Sequence, residues 1–111
     1  METREILDTS VALERDSGMI SVFTLLEYPN ALKKNFSIIY PEHEDFTKAV
    51  IIAKKLKEKG KTIGAVDMLI ASIGINKNVR VLSKDHHFSM INEEFPDFRF
   101  DPIATVSLPH P

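Results

Sequence analysis

Along the chain, short continuous apolar runs alternate with stretches in which apolar residues return every three or four positions. The short runs Thr3 to Leu7, Ile20 to Phe23, Phe36 to Tyr40, Val79 to Leu82 and Phe98 to Phe100 predict strands or extended stubs, because they are β-branched or aromatic and end at turn-forming residues. The clearest helical period is Phe46, Ala49, Val50, Ala53 and Leu56, with Glu42, Glu44 and Asp45 near its start, lysines near its end and Gly60 beyond. Ile63 to Ile75 predicts a second long helix whose surface is almost wholly apolar, so it must be buried on most sides. Shorter helices are expected at Val11 to Arg15, at Thr24 to Leu32, and at His86 to Ile91. Pro29 falls within the second of these, where it is either early enough to be tolerated or marks a kink.

Strands alternating with helices point to the α/β class, built from βαβ units around a mostly parallel sheet that is covered on both faces. A length of 111 residues suits a single domain over residues 1–111, with no internal repeat or linker. The hydrophobic share of 43% and the charged share of 27% exclude a disordered or collagen-like chain. Without cysteine, neither a disulfide framework nor a thiolate zinc site is available, and a cytoplasmic location is expected. Met1 to Glu5 is charged, the apolar run after it is too short for a signal peptide, and no segment approaches a membrane span. The net charge of −2 means that binding to nucleic acid cannot rest on bulk positive charge.

Four acids stand where this architecture concentrates chemistry. Asp8 and Asp85 each follow a predicted strand, and in open parallel sheets the ligand crevice lies outside the carboxyl ends of the strands. Asp67 sits inside the most apolar helix, where an unpaired carboxylate costs several kcal/mol (~3) unless something compensates it. Glu27 follows the Ile20 to Phe23 stub and can reach the same end of the sheet. Each acid also has a local reading. Asp8 suits an Asx-turn or a helix cap before Val11, Asp85 a cap of the segment after it, Thr24 to Glu27 fits a capping box, and Asp67 lies in a first turn where the helix dipole favours an acid.

Other chemistries find less support. Gly18, Gly60, Gly64 and Gly74 form no phosphate-cradling loop, and Ser72 lies outside any Gly-x-Ser-x-Gly turn. His43, His86 and His87 lack the i, i+4 spacing of a helical zinc pair and are left out of the site. Lys48, Lys54, Lys55, Lys57, Lys59 and Lys61 read first as a solvated helix face and its end, and second as contacts to a nucleic acid.

The order of four segments carries a resemblance: "ILDTSV" at 6 to 11, "ISVFTLLE" at 20 to 27, "GAVDMLIASIGI" at 64 to 75 and "VRVLSKDHHF" at 79 to 88. Together they resemble PIN-domain proteins, and more narrowly the VapC-like toxin ribonucleases, through nearly the whole chain. The resemblance implies a PIN-like three-layer α/β/α sandwich. It also implies a metal site at Asp8, Glu27, Asp67 and Asp85, with Ser83 beside it and Ser10 lining the pocket. The chain departs from the pattern in one place. Between the first helix and Glu27 it has only Glu14 to Thr24, where relatives usually insert one or two further helices that help form the dimer surface and the groove an antitoxin covers.

A cage of hard oxygens without cysteine suits Mg²⁺ or Mn²⁺. By resemblance the activity is that of an endoribonuclease, hydrolysing RNA to leave a 5′-phosphate, with an antitoxin and a homodimer as expected partners and no membrane. The alternative is a catalytically silent PIN-like binding or scaffolding protein.

Overall fold

The computed structural model describes residues 4–103, so Thr3, the predicted first residue of the first strand, lies outside the described residues. Eleven elements follow one another: β1 Glu5–Leu7, α1 Thr9–Ala12, β2 Ser17–Ser21, α2 Val22–Glu27, a 3₁₀ turn at Pro29–Lys33, β3 Asn35–Ile39, α3 His43–Glu58, α4 Ala65–Lys77, β4 Arg80–Ser83, α5 Phe88–Glu94 and β5 Phe100–Pro102. Every strand pair is parallel, in the order β3-β2-β1-β4-β5. The chain steps outward from β1 through β2 to β3, then returns to place β4 on the other side of β1. The direction of winding therefore reverses between β1 and β4, the position at which open α/β sheets form their crevice.

Side chains of alternate strand positions feed two cores, as the pleat requires. Ile6 and Val81 join Ile52 and Leu56 of α3, Ile70 and Ile73 of α4, and Phe88 and Ile91 of α5 on one face. Leu7, Ile20 and Leu82 meet Val11, Ala12 and Ala31 on the other. The arrangement is the expected three-layer sandwich. The deeper layer is closed by Phe88, Phe98 and Phe100, whose ring centroids lie 5.6–6.3 Å apart.

The two long helices hold one another through polar groups as well. Asp45, fully buried, accepts the Glu42 N–H at 2.7 Å and an Asn76 side-chain N–H at 2.8 Å, tying the start of α3 to the end of α4. Gly74 is the residue of α4 at which a side chain would crowd the sheet. A Cβ there would stand 3.1 Å from the Val79 carbonyl and 3.2 Å from a Val81 methyl, so its absence lets α4 lie close on β4. As its apolar surface requires, α4 is buried from Ile70 to Gly74, while Val66 in its first turn stays 39% exposed.

Several boundaries differ from the sequence expectation for identifiable reasons. The extended stub begins earlier and ends earlier than Ile20 to Phe23, because Ser21 caps α2 by accepting the Thr24 N–H at 3.2 Å and so turns Val22 and Phe23 into the helix. The helix expected to run from Thr24 to Leu32 stops at Glu27. Pro29 excludes Tyr28 from helical geometry (φ −136°, ψ 72°), and the chain resumes as a 3₁₀ turn. α1 is a single turn that starts at Thr9, two residues before the expected Val11. The last strand starts at Phe100, leaving Phe98 to plug the core instead.

Candidate metal centre

Asp8 follows β1 directly, and its backbone N–H is held by the Leu82 carbonyl at 2.9 Å. The helix-cap reading does not apply to its side chain, which makes no capping hydrogen bond to α1. Instead, Oδ2 of Asp8 accepts the hydroxyl of Ser83 at 2.8 Å, with Ser10 Oγ at 3.4 Å from the same oxygen. Ser83 is fully buried at the end of β4, and its oxygen also takes the Asp85 N–H at 2.9 Å. Ser10 in turn accepts the Lys84 N–H at 3.0 Å. The two expected pocket-lining serines thus cross-link the ends of β1 and β4 and orient Asp8 toward the crevice.

Glu27 comes from the last residue of α2, so the capping-box reading fails: Ser21 holds the cap, and Glu27 points to another element. Its Oε1 accepts the Thr9 hydroxyl at 2.7 Å, and Thr9 lies 3.3 Å from the buried Thr24 hydroxyl. Thr9 was not singled out by the sequence. Its only signal was its place between Asp8 and Ser10, which is also an ordinary place for turn chemistry.

Asp67 occupies the first turn of α4, and Asp85 the turn after β4. Ligand atoms of Asp67, Asp85 and His87 lie within 4.8 Å of one another. Asp85 does not cap α5, whose N-cap is His87 without a side-chain bond; Oδ1 of Asp85 instead accepts the His87 N–H at 3.0 Å in an Asx-turn before the helix. His87, set aside in the sequence, therefore joins the acids, because the Asx-turn at Asp85 folds the next but one side chain back beside it.

The electrostatics tie the four acids into one field. Burial is the main cause that pushes Asp67 up to about 6, followed by repulsion from Asp8 and Asp85; His87 opposes the shift and Glu27 adds to it. Asp8 is also raised, again chiefly by burial, against which the Ser83 hydroxyl and the Thr9 N–H work, while Glu27 and Asp85 reinforce it. No lysine or arginine forms an ion pair with Asp8, Glu27, Asp67 or Asp85 among the described residues. Three acids on strand or helix ends plus Glu27 supply hard oxygen donors and excess negative charge, a donor set that fits Mg²⁺ or Mn²⁺.

No family model matches the sequence, and no curated protein is a significant sequence match. The fold does have solved counterparts. A chain in the structure of VapBC2 from Rickettsia felis bound to a promoter DNA fragment superposes with a TM-score of 0.72 at 17% identity, covering 90% of this chain and 98% of that one. A chain of VapBC-1 from nontypeable Haemophilus influenzae gives 0.72 and 17% over the same shares, 90% and 98%. For VapBC-5 of Mycobacterium tuberculosis, from a family of toxin–antitoxin systems, the values are 0.72 and 15%, covering 92% and 100%. The chain therefore has the PIN-like α/β sandwich fold, spanning nearly the full length of these counterparts.

Proposed function

We propose that this protein is a divalent-metal-dependent ribonuclease, the VapC-like toxin of a toxin–antitoxin pair. What supports the reading is the mutual repulsion of Asp8, Glu27, Asp67 and Asp85 near the winding reversal of the sheet, with none of the four paired to a lysine or arginine among the described residues. A folded chain tolerates such a cluster at a cost, and a bound cation removes that cost. The toxin assignment draws on the shared fold with the VapBC chains, and the choice of RNA on the sequence resemblance. An antitoxin partner and a homodimer belong to the same reading.

Bound at these carboxylates, Mg²⁺ or Mn²⁺ supplies charge neutralisation of a phosphodiester and activation of a water for in-line attack. The chain's own residues supply position. Ser83 and Ser10 hold Asp8 by one and the same oxygen, Oδ2. Thr9 anchors Glu27 across from it, and the rigid first turn of α4 presents Asp67. None of the roles needs a covalent nucleophile, in keeping with a site that contains neither cysteine nor an activated serine.

Cleavage of a generic single-stranded RNA in the presence of Mg²⁺ or Mn²⁺, its loss in EDTA, and its absence in Asp8→Asn prepared identically are the expected results. The paired variant excludes a contaminating nuclease. An intact RNA under all conditions would leave a catalytically silent binding protein as the correct description.

A further inference from the structure

The four-carboxylate site accounts for Asp85 but not for the imidazole placed against it. Nδ1 of His87 lies 3.1 Å from Oδ1 of Asp85, and the ring is part of the trio with Asp67 whose ligand atoms fall within 4.8 Å. The His87 side chain is 60% exposed, so packing does not hold it there. What holds it is the backbone hydrogen bond from its own N–H to the same Asp85 oxygen at 3.0 Å. Neighbouring His86 is exposed and has no place in the trio, which makes the position of the second histidine specific to the turn.

We propose that His87 is a direct nitrogen ligand of the bound cation, making the site a mixed nitrogen–oxygen centre that prefers Mn²⁺ over Mg²⁺. The inference rests on the metal-dependent reading above and adds a ligand to it. Two adjacent ligands of an octahedral ion, each about 2.1 Å from it, stand roughly 3.0 Å apart. The separation of Nδ1 from the Asp85 oxygen, 3.1 Å, matches that spacing, so one ion can take the two atoms as neighbouring ligands. Imidazole nitrogen binds Mn²⁺ and later first-row ions more readily than it does Mg²⁺, which keeps to oxygen and water. A purely carboxylate cage has no such bias.

The test uses the full chain, stripped with EDTA and titrated with Mn²⁺, read by pulsed electron paramagnetic resonance for coupling to ¹⁴N and by Mn²⁺ affinity. The wild type is expected to show a directly bonded ¹⁴N. His87→Ala should lose it, with Mn²⁺ affinity reduced about ten-fold or more and Mg²⁺ affinity changed much less. His86→Ala should retain both the coupling and the affinity. Mn²⁺ bound by the wild type without nitrogen coupling, with His87→Ala binding equally well, overturns the ligand assignment and leaves the carboxylate site standing. Failure of the wild type to bind Mn²⁺ at all overturns both. Because His87 is largely exposed, the variant tests ligation and not folding.

Discussion

Around Arg80, at the amino end of β4, opposite charges meet: its guanidinium lies 3.0 Å from Glu5 and 3.4 Å from Asp101, and before β3, at the far edge of the sheet, Lys34 stands 3.6 Å from Asp16. At the carboxyl side of the sheet, Asp8, Asp67 and Asp85 repel one another, and among the described residues only His87 pairs with any of them. A cleft of about 540 Å³ opens at the amino side, lined by Arg4, Glu5, Arg15, Ser17 and Ser37 among others. Room and chemistry are thus separated. The amino end has the space and pairs Arg80 and Lys34 with acids, whereas the carboxyl end keeps an acidic charge that no lysine or arginine pairs among the described residues and that destabilises the metal-free chain.

The largest effect that tests this contrast is on activity. Asp67→Asn is expected to lower RNA cleavage by about a thousand-fold, the loss of several kcal/mol of transition-state charge stabilisation. A variant retaining full activity would show that the acid end carries no more chemistry than the paired end.

Next in size is metal itself. At a concentration a hundred times its Kd, Mn²⁺ should stabilise the fold by about 2.7 kcal/mol, seen as a clear rise in Tm relative to EDTA. Superimposable melts at millimolar Mn²⁺ would remove the reason for leaving four acids unpaired.

The pH dependence of the metal-free protein follows from the sign of the shift at Asp67. Its folded pKa of about 6 lies above the ordinary 3.8, so the unfolded chain releases the proton first. The resulting penalty is absent below about pH 4, grows between the two values and is fully present above about pH 6. The gap corresponds to roughly 3 kcal/mol, which solvent screening at this half-buried group reduces to roughly 1–2 kcal/mol. Denaturant titrations in EDTA should therefore show Asp67→Asn more stable than the wild type at pH 7.5, with the advantage gone at pH 4. An advantage that persists at pH 4 would locate its cause outside this titration.

Thr9→Val should weaken metal binding by about ten-fold, the scale on which removing a group that orients a ligand acts, while changing stability by under about 1 kcal/mol. Equal metal affinity in isothermal titration would mean that Glu27 needs no anchor. The smallest effect belongs to the opposite end, where Lys34→Ala breaks a solvent-screened pair with Asp16 and should leave the midpoint of a urea melt nearly unchanged and cleavage intact.

Much of the fold was legible because its signals are local. The period of α3, the apolar surface of α4 and the β-branched runs each follow from the side chains of one segment. Where local signals competed, the boundaries moved: Ser21, read as part of the extended stub, caps α2, and Pro29 ends that helix where the apolar pattern alone would carry it to Leu32. The candidate site was legible as a set of acids but not as a place. Each acid but Glu27 keeps part of a local explanation: Asp67 stands in a first helical turn as read, while Asp85 makes a turn bond and not the expected cap.

From the sequence alone came the α/β class, the two long helices and the four acids with their serines, since composition, period and the order of the motifs are properties of the chain taken one segment at a time. Only the tertiary structure decided that β4 returns beside β1, that Thr9 reaches Glu27 across 18 residues and Ser83 reaches Asp8 across 75, and that His87 folds back onto Asp85. Those are contacts between segments. Their distances depend on how the sheet is wound and how closely α4 lies on it, and no residue's own preference encodes that.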